Sequence, residues 1–233
     1  MALAPHTVTS FDEDLAALDS ALREIGGLAL DMTREAAGLL VAYDGDVAER
    51  IIATDRRLDA LRDGLDERAV LVIARRQPVA VDLRTVVASM RVAGALERCG
   101  DMAKNVAKRA AKIDGAGAPR DAAQAVRRLG LEAARALEAA LDAFETRNSA
   151  EAESVWRGDA DLDGMLASLF RELLTYMAEN PRAISACTHL LFCAKNMERI
   201  GDHATTVAEA ARYVATGLAF EGERPKVDEA AAG

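Results

Sequence analysis

The order of apolar and polar positions divides this 233-residue chain into six long helical stretches. Phe11, Leu15, Leu18, Leu22, Ile25, Met32, Ala36 and Leu39 recur at three- and four-residue intervals, which places them on one face of an α-helix. Ser10 reads as the N-cap of that helix, with Asp12, Glu13 and Asp14 in the first turn, where negative charge suits the helix dipole. Asp44-Gly45-Asp46 interrupts the pattern. A second helix is expected from Val47 to Arg75, with Ile51, Leu58, Leu65 and Val72 on one stripe. Gln77-Pro78 ends it, because a residue before proline resists the α conformation. A third helix is expected from Asp82 to Lys112, followed by the linker Asp114-Gly115-Ala116-Gly117-Ala118-Pro119.

The second half repeats this grammar. A helix starts at Pro119 or Arg120 and reaches Glu145, Thr146-Arg147-Asn148-Ser149 turns the chain, and another helix runs from Ala150 to Glu179. Asn180-Pro181 stops it; Pro181 suits the first turn of a last helix that continues to Thr216 and closes on Gly217 as a C′ glycine. Glu221 to Gly233 is polar and small and is expected to be disordered. The reading is an all-α fold made of a duplicated three-helix unit, the first over residues 1–113 and the second over 119–217. Helices of this length extend about 45 Å at 1.5 Å per residue. Short connections make neighbours antiparallel, giving two elongated three-helix bundles in tandem, end to end or side by side.

The duplication is marked by a phrase that occurs twice: Glu97-Arg98-Cys99-Gly100-Asp101 and Glu198-Arg199-Ile200-Gly201-Asp202, 101 positions apart (97 to 198). A Glu and an Asp four apart lie one above the other on a helix face and repel by roughly a few tenths of a kcal/mol. A mid-helix glycine costs about 1 kcal/mol against alanine. A mildly unfavourable device carried twice points to use, and the plain use of two stacked carboxylates is to hold a cation. A second pair precedes each phrase: Asp55 and Asp59, then Asp159 and Asp163, 104 positions later (55 to 159). If the second and third helices of each unit pack antiparallel, four carboxylates converge in each half. Oxygen-rich sites of this kind suit Mg²⁺, Mn²⁺, Ca²⁺ or iron and select poorly for zinc or copper. The plainer alternative is a pair of solvated acidic faces.

Composition narrows the classes. An apolar fraction of 51% supports real cores, but with only 4% aromatic residues the packing falls to Ala, Leu and Val, which favours close helix approach. The net charge of −9 argues against a nucleic-acid footprint or attraction to anionic lipid. Cys99, Cys187 and Cys193 form no CxxC pair or disulfide framework, which fits a reducing cytoplasm. Met1 to Ser10 lacks the features of a signal peptide, and no apolar run approaches the roughly 18 residues of a membrane span. His189 and Cys193 have the four-residue spacing of a soft metal pair, but read better as a packed thiol and a capped or exposed imidazole. Trp156, the single tryptophan, is either a partner contact or a local packing anchor.

The segments Leu96-Glu-Arg-Cys-Gly-Asp-Met-Ala-Lys-Asn105 and Met197-Glu-Arg-Ile-Gly-Asp-His-Ala-Thr-Thr-Val-Ala-Glu209 closely resemble the paired signatures of the PhoU family of phosphate-uptake regulators. The resemblance covers nearly the whole chain, including the proline before each third helix and His189-Leu-Leu-Phe-Cys-Ala-Lys-Asn-Met-Glu198. It implies an all-α, cytoplasmic, usually dimeric protein that represses the phosphate-starvation response and restrains phosphate import. The implied partners are a sensor histidine kinase and the ATPase subunit of the phosphate-specific ABC transporter. It also implies metal ions, including multinuclear iron or zinc clusters, at Glu97, Asp101, Glu198 and Asp202, with Asp55, Asp59, Asp159 and Asp163 as weaker carry-overs. One departure is visible: the family's Asn four residues after the motif Asp is kept at Asn105 but replaced by Thr206.

Three classes follow from the sequence: a regulatory adaptor, a di-metal enzyme or iron store, and a metal-free helical scaffold. The enzyme class expects Glu-x-x-His motifs, which the three histidines (His6, His189, His203) do not supply. No phosphate-binding loop is evident either.

Overall fold

The computed structural model describes residues 5–222, with side chains from Phe11 onward. Six α-helices follow one another: α1 Pro5–Leu39, α2 Gly45–Arg76, α3 Ala80–Ile113, α4 Arg120–Thr146, α5 Ser149–Glu179 and α6 Ile184–Thr216, the last entered through a 3₁₀ turn at Pro181–Ala183. No strand occurs among the described residues. The expected disordered tail lies outside the described residues from Glu223 onward.

Helix ends follow local chemistry. Asp44 caps α2 by accepting from the backbone N–H groups of Asp46 (2.9 Å) and Val47 (3.2 Å). Asn148 caps α5 in the same way through Ala150 (3.1 Å) and Glu151 (3.2 Å). The two caps occupy equivalent places in the repeat, each satisfying N–H groups that a helix start leaves open. Gln77 closes α2 in the left-handed region (φ 49°), donating its N–H to the Ile73 carbonyl, so that Pro78 can follow. Gly217 closes α6 at φ 77°, as its position after the last periodic residue implied. The N-cap expected at Ser10 is a correction: α1 already begins at Pro5, which suits the first helical position because its missing N–H would have no partner there.

The two units lie side by side. In each, the three helices pack on one another, α1, α2 and α3 in the first and α4, α5 and α6 in the second, while α3 packs on α6 and α1 on α4 across the middle. One continuous apolar core therefore runs through both repeats, from Leu18, Ile25 and Met32 to Leu190, Met197 and Val207. Alanine and glycine permit the close approach. A Cβ at Gly130 would come within 2.9 Å of the Ala37 Cβ and 3.0 Å of the Met197 sulfur, so glycine is what lets α4 touch α1 and α6 together. Arg34–Glu138 (2.7 Å) and Arg23–Glu145 (3.0 Å) bridge α1 and α4 at the exposed rim, each contributing under about 1 kcal/mol. The outer helices α2 and α5 carry the acid pairs inward against α3 and α6.

Candidate functional site

Each duplicated phrase faces the neighbouring outer helix, and its glycine is the reason. A Cβ at Gly100 would meet the Leu58 Cδ1 at 3.1 Å, and one at Gly201 would meet the Leu162 Cδ1 at 2.4 Å. Leu58 and Leu162 are equivalent in the repeat, and both are buried. Glycine thus seats a leucine of the outer helix against the inner helix, in the same turns that carry the acids. That close approach draws Asp55 and Asp59 of α2 toward Glu97 and Asp101 of α3, and Asp159 and Asp163 of α5 toward Glu198 and Asp202 of α6.

In the first cluster the link between helices is a lysine. The Lys104 Nζ donates to Asp55 Oδ2 at 2.6 Å and to Asp101 Oδ1 at 2.6 Å, joining α2 to α3. Asp55 is buried, Lys104, Glu97 and Asp101 are half-buried, and Asp59 is exposed. Burial disfavours the Lys104 ammonium, but the hydrogen bonds to Asp101 and Asp55 outweigh it and hold the group above the ordinary lysine range. Burial pushes the Glu97 carboxyl up against the pull of Arg98, and the Asp101 and Asp59 carboxylates add to the rise. Asp59 is raised by partial desolvation and then by Asp55. Arg98 spans the phrase from outside, 3.5 Å from Glu97 and 3.6 Å from Asp101.

The second cluster is built differently. Asp159 and Glu198 are both buried, at 3% and 6% exposure, and Asp163 and Asp202 are half-buried. An Asp159 oxygen lies 3.8 Å from where a Cβ on Gly201 would stand, placing that carboxylate against the phrase of α6. Lys195 donates to Glu198 Oε1 at 2.9 Å, from the same helix and with half its side chain in solvent. The other oxygen, Glu198 Oε2, is buried without a hydrogen-bond partner. Burial raises the Glu198 carboxyl, Lys195 opposes the rise, and the charges of Asp202 and Asp163 add to it.

Of the eight acids singled out in the sequence, Asp55 and Asp101 meet on Lys104 in the first repeat, and Asp159 lies against the Gly201 turn of α6 in the second. Among the described residues, no three Asp, Glu, His or Cys side chains stand close enough to form a ready-made metal cage. In the first repeat the reason is visible, since an ammonium already stands between Asp55 and Asp101. The donor set suits a hard cation in the second repeat, where a buried carboxylate oxygen of Glu198 is unsatisfied. The sequence reading missed Lys104 and Lys195; the signal was their three-residue distance from Asp101 and Glu198, which puts each on the acid face of its own helix.

The remaining candidates resolve into packing. The Arg109 guanidinium lies 3.3 Å from His189 Nδ1 and stacks over the Phe192 ring, with Cys193 buried behind. Trp156 stacks on Phe220 with ring centroids 4.9 Å apart, anchoring the segment after α6 onto α5.

Comparison with known proteins adds a second line of observation. The family model described as "PhoU domain" matches residues 22–110 and 126–211, one match in each repeat. A "Phosphate-specific transport system accessory protein PhoU homolog" of Rhizobium meliloti is 46% identical over 96% of this chain and 94% of its own length. A homolog of the same description from Caulobacter vibrioides is 42% identical over 97% and 98%. The crystal structure of PhoU from Pseudomonas aeruginosa superposes with a TM-score of 0.86 at 34% identity, covering 89% of this chain and 100% of that one.

Proposed function

The chain belongs to the PhoU family, and from that premise we propose that it is the regulatory accessory protein of a phosphate-specific transport system, restraining phosphate uptake and the response to phosphate starvation. The observation that carries this reading is likeness over the full length, 46% identity spanning 96% of this chain and 94% of the relative, with both repeats matched. The protein acts in the cytoplasm as a homodimer, binding the transporter's ATPase subunit and a sensor histidine kinase. No helix of the described residues is long and apolar enough to cross a membrane, which suits a protein that works beside membrane partners. The sequence carries no Glu-x-x-His motif, the ligand pattern that a di-metal helical enzyme uses.

The mechanism is a shift in population. Bound to the ATPase when phosphate is plentiful, the bundle holds the kinase silent; it does so only if it prefers one transporter state, because equal affinity for both shifts nothing. Two repeats of long helices side by side give such an adaptor an extended surface. The carboxylate clusters serve as cation sites, with Mg, Mn, Fe or Zn as candidate ions: Asp55, Asp59, Glu97 and Asp101 in the first repeat, Asp159, Asp163, Glu198 and Asp202 in the second. A cation bound there would add positive charge between two helices that both present carboxylates. The chain's own part is to hold the acids half out of water and to fix the helix spacing through Gly100 and Gly201.

The competing reading, a scaffold without metals, draws on the self-neutralised first cluster. Elemental analysis separates the two: Glu198→Ala/Asp202→Ala lowers the metal content of the purified protein if the cation reading holds and leaves it unchanged if it does not. For the regulatory role, the test is a phosphate-starvation promoter reporter in cells deleted for the chain. The account expects the reporter to be high even in phosphate-rich medium and silenced on complementation. A reporter that stays low after deletion overturns it.

A further inference from the structure

In a chain whose acids outnumber its bases by 38 to 29, one stretch of each inner helix carries no acid at all. Met102 to Ile113 of α3 holds Lys104, Lys108, Arg109 and Lys112, and Ile184 to Met197 of α6 holds His189 and Lys195, with no Asp or Glu in either. The two stretches lie against each other, since the Arg109 guanidinium stands 3.3 Å from His189 Nδ1 and 4.2 Å from the centre of the Phe192 ring. Lys104 and Lys195 are taken up by Asp55, Asp101 and Glu198. Lys108, Arg109 and Lys112 are not: among the described residues, no carboxylate lies within ion-pair distance of any of them. At about 100° per residue, Lys112 projects between Lys108 and Arg109, so the three cations share one side of α3. Burial, and after it the charges of Arg109 and Lys112, hold the His189 imidazole below its ordinary value of 6.5. At neutral pH it is therefore uncharged and can accept one Arg109 N–H. Phe192 beneath and His189 at one edge fix the guanidinium plane and leave its other N–H groups for a planar anion. The Phe192 ring itself is 50% exposed.

We propose that Lys108, Arg109 and Lys112 of α3, with Phe192 of α6, form the docking surface for an acidic segment of a protein partner, one that presents carboxylates beside an apolar side chain. The inference rests on the adaptor reading and names where on this chain one of its partners sits. Arg109 takes a carboxylate in its fork, Lys108 and Lys112 draw a second, and Phe192 covers the apolar side chain. Arginine and aromatic residues are the usual anchors of such contacts, and matched charge selects the partner. The occupant is a narrow segment and not an anionic bilayer because the patch is local. Asp101 and Glu198 lie only about 12 Å and about 9 Å along their helices from Arg109 and Phe192. A flat anionic surface wide enough to cover the patch would meet those acids too, in a chain of net charge −9.

The test measures the affinity of full-length protein for the purified ATPase subunit and for the cytoplasmic part of the sensor kinase, at low and at raised salt. Lys108→Glu/Lys112→Glu is compared with Arg127→Glu/Arg128→Glu, an equal change of charge at exposed positions of α4. The first is expected to weaken binding to one of the two proteins about tenfold or more, and the second to leave it unchanged. Phe192→Ala is expected to weaken it about tenfold, and raised salt to weaken wild type more than Lys108→Glu/Lys112→Glu. Binding by wild type that neither Lys108→Glu/Lys112→Glu nor Phe192→Ala weakens overturns the inference and leaves the adaptor reading intact. A loss matched by Arg127→Glu/Arg128→Glu also overturns it, because net charge alone would then explain the effect. Cosedimentation of wild type with phosphatidylglycerol vesicles, abolished by Lys108→Glu/Lys112→Glu, would assign the patch to a membrane instead. Wild type that binds neither protein overturns the adaptor reading, and this inference with it. Lys108→Gln/Lys112→Gln, expected to weaken binding several-fold, keeps the question decidable if the charge reversal fails to fold.

Discussion

Replacing Gly201 with alanine sets two known effects against each other. A mid-helix Gly→Ala change favours the helix by about 1 kcal/mol. The new methyl, however, would stand 2.4 Å from the Leu162 Cδ1, well inside contact, and Leu162 is only 5% exposed, so moving it means moving α5 or an off-rotamer side chain. Overpacking of this kind costs about 1–3 kcal/mol, for a net loss of up to about 2 kcal/mol. Gly100→Ala is the internal control: its nearest atom, Leu58 Cδ1, is 3.1 Å away, a few tenths of an ångström of adjustment, so cost and gain cancel to near zero. At roughly 2–4 °C per kcal/mol for a chain of this size, Gly201→Ala melts up to about 8 °C lower and Gly100→Ala unchanged. Circular-dichroism melts of both, with Leu162→Val alone and combined with Gly201→Ala, complete a double-mutant cycle. A coupling of about 1 kcal/mol between positions 162 and 201 is expected. A Gly201→Ala protein that melts at or above wild type, with no coupling, refutes the claim that this glycine sets the α5–α6 spacing.

Asp19 sits half-buried beside Arg23, Leu22 and Phe144, and burial raises its carboxyl above the ordinary value of 3.8, against the pull of Arg23 and Arg147. The native state thus holds that proton longer than the unfolded chain, so the group's contribution falls as pH rises from 3.8 through its raised native value. Asp19→Asn is expected to stabilise slightly at neutral pH and not at pH 3, as denaturant melts at the two pH values would show. Phe220→Ala removes the stack on Trp156 and the ring beneath Arg212, and should cost about 1–2 kcal/mol. Because Trp156 is the only tryptophan, its emission should shift red in the same variant; an unchanged spectrum would place the ring elsewhere. Burial pushes the Cys193 thiol up to about 12 and the fully buried Cys99 thiol higher still, so neither should react with a thiol reagent at pH 8 until the protein is denatured. Rapid labelling of either in native protein would contradict the packing.

Six helices, their proline and glycine stops and the duplication were legible because each is written locally: period, cap and breaker. The phrase Glu-Arg-x-Gly-Asp was legible too, but for an incomplete reason. Its glycine looked like a cost borne by a cation site, whereas the structure gives it a packing duty against Leu58 and Leu162 that no single-helix argument contains. That duty depends on which helix lies opposite, a long-range fact. The same limit hid Lys104: as a three-residue neighbour of Asp101 it looks like one more surface pair, and only the arrival of Asp55 from α2 makes it a bridge. The side-by-side placement of the repeats was open in the sequence, since alanine-rich faces on α3, α4 and α6 say that helices approach closely without saying which. The start of α1 was misplaced because Ser10 followed by acids imitates a cap, while Pro5 permits an earlier start.

The central claim is that this bundle joins a phosphate transporter to its sensor. Its most direct test mixes the full-length protein with the ATPase subunit of the phosphate transporter and the cytoplasmic part of the sensor kinase, in the presence of Mn²⁺, and follows complex formation by analytical ultracentrifugation. The account predicts a complex with each partner and a ternary species when both are present. Sedimentation of all three as separate species, at concentrations tens of times those in the cell, would contradict it.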